Sequence, residues 1–189
     1  MKSLILAAAL ALGASSAFAA DKYVLDSSHS QVLFSYNHLG FSTTYGMFSG
    51  FEGEIMFDAE APANSSVSVS MPVMSMFTGW EQRKGHFMTA DFFDASEDEM
   101  ITFTSTGIEV TGDNTAKITG DLTLNDVTKS VVLDAKLNKT GDHPMAGKPW
   151  MGFDATTTLK RSDFGLGAFA PAVSDDVALN ISLEAMKAE

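Results

Sequence analysis

The chain of 189 residues carries 24 acidic against 12 basic side chains, a formal net charge of −12 with histidine neutral, and no cysteine. That balance excludes nucleic acid as a partner and general adhesion to anionic lipid surfaces, both of which require a cationic face. Without cysteine there is no thiol nucleophile and no disulfide, so a packed core must supply the stability, which a domain of this length can bury enough apolar surface to do.

Residues 1–19 read as a secretory signal peptide. Lys2 gives the positive start, Leu4 to Leu12 the apolar stretch, and Ala17-Phe-Ala19 the small-x-small cleavage pattern. The apolar run is too short for a membrane span, and no cysteine follows to carry a lipid anchor. Cleavage after Ala19 sends residues 20–189 to the periplasm as one domain, with no linker and no internal repeat. Losing Lys2 takes the net charge from −12 to −13.

Residues 29–57 read as two long strands joined by a turn that bears Gly40. Val32, Phe34, Tyr36 and His38 fall on one face of the first; Met47, Phe51, Ile55 and Phe57 fall on one face of the second, with Glu52 and Glu54 opposite. Side chains alternate across a sheet, so this spacing predicts a surface wet on one side and apolar on the other. About ten residues at ~3.3 Å each make such strands roughly 33 Å long.

The alternation continues down the chain. Val67, Val69 and Met71 alternate with serines, Ile101 and Phe103 with threonines, and Ile118, Leu122 and Leu124 with polar neighbours. Val131 to Leu137, Met151 to Leu159 and Val177 to Leu183 repeat it. With 23–26 this gives eight or nine strands separated by turn signals at 111–114 and 139–142. Sequential one-sided strands predict an all-β fold: an extended antiparallel barrel of eight strands, closed so that no edge is left bare.

One segment breaks the period of two. Thr78-Gly-Trp-Glu81 has capping-box spacing, which predicts a short helix over 79–88 near the barrel mouth. Phe92 and Phe93 cannot share one strand face, and are expected to plug one barrel end from an irregular loop.

Motifs for catalysis are missing. The sequence has no Gly-x-Ser-x-Gly and no His-Glu-x-x-His. Gly141 to Lys148 has the wrong spacing for a phosphate loop, and the acidic run from Asp94 lacks the glycine and glutamate of a calcium loop. The four histidines, 29, 38, 86 and 143, show no zinc spacing. Met71, Met74 and Met76 fit either a soft-metal cluster or an adaptable apolar lining, and the lining is the reading adopted. No metal and no cofactor are expected. Arginine is confined to Arg83 and Arg161. Either can meet a polar head group at the mouth, while Arg161 can instead tie down its own glycine-bearing loop.

Several short pieces, taken together in order, resemble the YceI-like family of periplasmic polyisoprenoid-binding proteins. They are Asp26-x-x-His29-Ser30, His38-Leu-Gly40, Gly46-x-Phe48-x-x-Phe51-x-Gly53, Arg83-x-x-His86, Asp91-Phe-Phe-Asp94, Ile101-Thr-Phe103, Gly120-Asp-Leu-Thr123, Val127-Thr-Lys129 and Arg161-Ser-Asp-Phe-Gly165. The chain departs from the family pattern at Lys84, Phe87, Met100 and Asp126. The resemblance implies a lipocalin-like barrel, often dimeric, that encloses a long-chain isoprenoid or fatty amphiphile and has no established catalysis.

The expected apolar channel comprises Val32, Phe34, Tyr36, Met47, Phe51, Ile55, Phe103, Phe153 and Phe164, with His38, Arg83 and Arg161 at the polar head group. The rival expectation is a filled core in a non-catalytic envelope stress or interaction protein. An enzyme acting on a bound head group is the third, and no nucleophile–base arrangement encourages it.

Overall fold

The computed structural model describes residues 20–189; the expected signal peptide, residues 1–19, lies outside them. Ten strands run in chain order: β1 (Asp21–Leu25), β2 (Gln31–His38), β3 (Ser42–Phe48), β4 (Glu52–Phe57), β5 (Ser66–Pro72), β6 (Met100–Gly112), β7 (Thr115–Leu124), β8 (Val127–Asp142), β9 (Pro149–Lys160) and β10 (Asp176–Lys187). One α-helix, α1 (Glu81–Phe87), interrupts them between β5 and β6.

All pairings are antiparallel, and the order β1-β4-β5-β6-β7-β8-β9-β10 closes on itself through β1 and β10, a ring of eight strands. The remaining two extend it. The first half of β10 pairs with β2 (Ile181 with Val32), and β2 pairs with β3. β1 and β2 are thus one bent stave, folded at a 3-10 turn over Ser27–His29, and β3 with β4 is its neighbour. Closure satisfies the backbone groups that an open sheet would expose.

The bend in the first stave has a local cause. Asp26 caps the turn by accepting from the Ser28 amide at 3.0 Å, and its other carboxylate oxygen lies 2.6 Å from His29 Nδ1. Ser30 Oγ donates to the Asp26 carbonyl at 2.7 Å and accepts from Glu184 N at 3.3 Å, fastening the bend to β10.

Two local expectations are corrected. The second long strand is broken at 49–51, where Gly50 takes φ +70°. The break shifts the alternation by one residue, since side-chain direction has period two. Thr44 and Phe48 of β3 face inward, whereas Phe51, Ile55 and Phe57 do so after the break. Met47 therefore does not line the interior with them; its backbone instead exchanges hydrogen bonds of 2.9 and 2.8 Å with Phe77. The capping box also does not form: Thr78 Oγ donates to the Trp80 carbonyl at 2.8 Å, and Trp80 occupies the cap position of α1.

Two buried clusters hold the barrel. Tyr23, Leu25, Val32, Phe51, Ile55, Met151 and Ala185 pack at one end, here called lower. Phe34, Phe48, Val73, Met76 and Ile101 pack towards the upper end, beneath α1. Burying one such large side chain contributes about 1.5–3 kcal/mol.

Candidate functional site: an apolar cavity along the barrel

The two clusters do not fill the ring. A cavity of about 810 Å³ runs along the barrel, lined by the inward residues of the strands. Val32, Phe34, Tyr36, Phe51, Ile55, Phe103, Phe153 and Phe164, all expected from the sequence, line it, and Met47 alone of that group does not. Phe34, Phe103 and Phe51 are among the most buried aromatic rings of that lining, 7, 7 and 3% exposed. Among the described residues no fully buried side-chain nitrogen or oxygen lacks a partner.

The upper end is built from three elements. α1 lies across the opening with Phe87 against Tyr36, ring centroids 6.3 Å apart and edge to face. The following turn brings Phe92 to 5.1 Å from Phe87 and Phe93 to 6.4 Å from Phe48, placing both expected plug residues in the lining. The loop after β9 adds Phe169, 6.1 Å from Phe92 and 6.3 Å from the His86 ring. Such edge-on and tilted pairs favour a mutually fixed aromatic rim.

Charge in the lining is confined to this end. Arg83, Arg161, His38 and His86 line it, and no carboxylate or lysine lines the cavity anywhere among the described residues. Arg83 donates from Nη1 to the Thr78 carbonyl at 3.0 Å, and its guanidinium stands 5.9 Å from the Trp80 ring centroid. The ion pairs among the described residues use lysine or histidine and neither arginine. Arg83 is therefore a half-buried cation without a carboxylate partner. Burial pushes the Tyr36 hydroxyl above its ordinary pKa, opposed by the nearby Arg83 and by a hydrogen bond with Thr44.

Arg161 lines the same end and is also bound into its own loop. Nε donates to the Ser174 carbonyl at 2.8 Å, Nη2 to Val173 at 2.9 Å, and Nη1 to Ala168 at 2.8 Å and to Leu166. Burial depresses its pKa below the ordinary arginine value, and those carbonyls absorb most of the fork's donors. The expected loop tie is formed. Ser162 strengthens the same closure through its amide and hydroxyl, 2.9 and 2.8 Å from the Asp175 carboxylate, and these bonds hold that carboxyl below its usual pKa.

Trp80, Gln82 and Phe169 also line the upper end and were not singled out from the sequence, and His86, named there only among the histidines and in the Arg83-x-x-His86 piece, joins them. Trp80 and Phe169 sit outside the regular elements and Gln82 and His86 on the seven-residue α1, too short for its apolar face to be read from spacing. Met71 and Met76 line the cavity while Met74 does not, so the three methionines do not converge on one point.

A separate group lies outside the cavity. Asp26, His29 and Glu184 offer three ligand atoms within 4.8 Å of one another. Asp26 and His29 are already paired with each other in the bend, and Glu184 Oε2 accepts from Trp150 Nε1 at 2.8 Å.

Comparison with known proteins agrees with this architecture. The YceI-like domain family matches residues 23–185. A UPF0312 protein of Ectopseudomonas mendocina is 42% identical over 189 residues, covering 99% of this chain and 97% of the relative. The crystal structure of Burkholderia cenocepacia BcnA superposes with a TM-score of 0.76 at 25% identity, covering 85% of this chain and 98% of that one. A polyisoprenoid binding domain from Saccharophagus degradans, implicated in plant cell wall breakdown, shares the fold with a TM-score of 0.68 at 15% identity over 88% and 98% of the two chains. By the span of the family match and the closeness of its relative, this chain belongs to the YceI-like domain family.

Proposed function

We propose that this protein binds one long-chain isoprenoid or similar amphiphilic lipid in the periplasm, with the tail in the barrel and the head group at Arg83, Tyr36 and His38. The observation that carries this reading is the cavity of about 810 Å³, apolar along its length and charged at one end only. Each CH₂ taken from water into such a lining contributes about 0.8 kcal/mol before ordering costs, so a long tail reaches micromolar affinity with few polar contacts. The single-ended charge orients the ligand, because a polar head left among Phe34, Phe51 and Phe103 would lose its hydration without a partner.

Enclosure of a long apolar space supports a carrier or sequestering role. The Saccharophagus domain supports the ligand class only as a barrel of the same fold. The periplasmic assignment rests on the signal-peptide pattern, and mass spectrometry of the exported protein should find it beginning at Ala20.

Native mass spectrometry of gently purified protein, followed by solvent extraction, tests the binding. The expected result is a lipid adduct of one per chain that yields a prenyl or acyl amphiphile. A bare polypeptide mass, together with no uptake of a fluorescent prenyl probe, overturns the proposal.

A further inference from the structure

The cavity has two unlike ends, and the lower one is not closed. β5 pairs with β6 only from Ser68 opposite Thr104 to Pro72 opposite Met100. Beyond that point the Val67 amide donates to Ser105 Oγ at 2.9 Å, a side chain taking the place of the next ladder bond. β6 then runs on to Gly112 hydrogen bonded to β7 alone, with no strand on its other side among the described residues.

The inward face survives this parting. A register shift between Ser105 and Gly107 moves the alternation by one, so that Ile108 and Val110 line the same cavity as Phe103. Yet Val110 is 50% exposed, against 7% for Phe103 further up the same strand. Val110 stands two residues from the β6–β7 turn, whose Gly112, Asn114 and Thr115 line the same cavity, so the cavity reaches the lower rim there.

The lower end is stopped on the side of β1, β9 and β10. Tyr23, Leu25, Met151 and Ala185 pack there and do not line the cavity. What stays open lies at the rim, between the 58–65 connection, whose Pro62–Asn64 turn packs against β6 and whose Pro62 and Ser65 line the cavity, and the β6–β7 turn with Val110, Gly112, Asn114 and Thr115. The lining there is neutral, with no lysine, arginine, histidine or carboxylate, while Asp58, Glu60 and Asp113 of the same segments stand outside it.

We infer that this opening at the lower rim is a second mouth through which the far end of a tail longer than the barrel leaves the cavity, so that the protein sets no upper limit on chain length. The inference rests on the proposed function and adds the fate of the tail end. A neutral lip beside Ile108 and Val110 accepts hydrocarbon without stripping water from a charge, whereas the arginine end does not. The occupant is the same ligand's distal tail, since the opening is continuous with the cavity that holds the rest of it.

The chain's lack of cysteine makes a single reporter thiol available. In Val110→Cys, maleimide labelling is measured with no ligand, with a short prenyl alcohol such as farnesol, and with a long one such as solanesol. Binding of each is read on the same samples by competition with a fluorescent prenyl probe. The expected result is at least a tenfold slowing of labelling by the long alcohol, none by the short one, and no loss of affinity as chains lengthen. Ser65→Cys, on the opposite lip, repeats the measurement should the first variant fold poorly. A long alcohol that binds but leaves both thiols as reactive as in free protein overturns the inference, as does a sharp fall in affinity above one chain length. Failure of both alcohols to bind the unmodified protein instead removes the proposed function, and the second opening with it.

Discussion

The ring of Phe34 lies directly over Gly46, its cross-strand partner, and fills the space that a side chain at 46 would need. Phe103 does the same over Gly120 across β6 and β7. In both places an aromatic ring folds onto bare backbone at the sheet wall rather than across the barrel. The glycines thus help decide whether the interior is filled or hollow.

Gly46→Ala is expected to destabilise the protein by about 1–3 kcal/mol, the usual result of overpacking a tight site, and to displace Phe34 towards the cavity axis. Urea denaturation reads the first effect and prenyl-probe affinity the second. A variant with both unchanged would show that Phe34 has a second resting place.

Gly85→Ala should move stability the other way. Gly85 sits in the interior of α1 with open space where its Cβ would go, so alanine gains about 0.5–1 kcal/mol from reduced backbone freedom in the unfolded chain. Thermal unfolding measures the rise, and probe affinity should hold because the position is absent from the cavity lining.

The Asp26–His29 joint makes stability depend on pH in a stated direction. The hydrogen bond that His29 Nδ1 donates to the Asp26 carboxylate raises the His29 pKa above 6.5. That contribution is therefore complete below the ordinary histidine value and is lost as pH rises through the raised one. For Asp26, burial pushes its pKa up, but hydrogen bonds with His29 and Ser28 outweigh it and leave the value below 3.8. Its contribution is present above the ordinary aspartate value and is lost as pH falls through the lowered one. Urea midpoints across pH 3–9 should flatten on the alkaline side in His29→Ala, and an NMR titration should place His29 above 6.5. An unshifted His29 would dissolve the joint.

Arg161→Lys keeps the charge and loses the fork. A single ammonium cannot reach the carbonyls of Leu166, Ala168, Val173 and Ser174 together, so the loop should loosen at a cost of about 2 kcal/mol or more. Hydrogen exchange should speed up over residues 165–175 and stay unchanged in β7 and β8. Uniform exchange in the two proteins would deny Arg161 its role in holding the loop.

Arg83→Gln separates head-group chemistry from tail burial. Against a prenyl phosphate, affinity should fall about tenfold, or ~1.4 kcal/mol, because a half-buried cation without a carboxylate partner is removed. Against the matching alcohol it should change little. Equal losses for both ligands would mean that Arg83 acts through Trp80 and α1 rather than on the anion.

Legibility in the sequence tracked how local each determinant is. Val32, Phe34, Ile55, Phe103 and Phe153 were found because the strand period is a property of neighbouring residues. Met47 was misplaced because the break at 49–51 resets that period, and nothing in the spacing of Gly46 and Gly50 announces which face follows. Thr78 and Glu81 had the spacing of a cap, but the Trp80 carbonyl took the Thr78 hydroxyl. For Arg161 the residues alone offered two partners, and only the folded loop brought its carbonyls round the guanidinium.

Alternation alone determined a closed all-β protein with an apolar inner face, since a strand's two faces are written residue by residue. Whether that face meets itself or encloses a space was decided only by tertiary structure. Ring circumference, rings folded over Gly46 and Gly120, and the unequal lengths of β5 and β6 are relations between segments far apart in the chain. The same relations chose which end carries charge and which is left open, because both depend on where loops from separate strands come to lie.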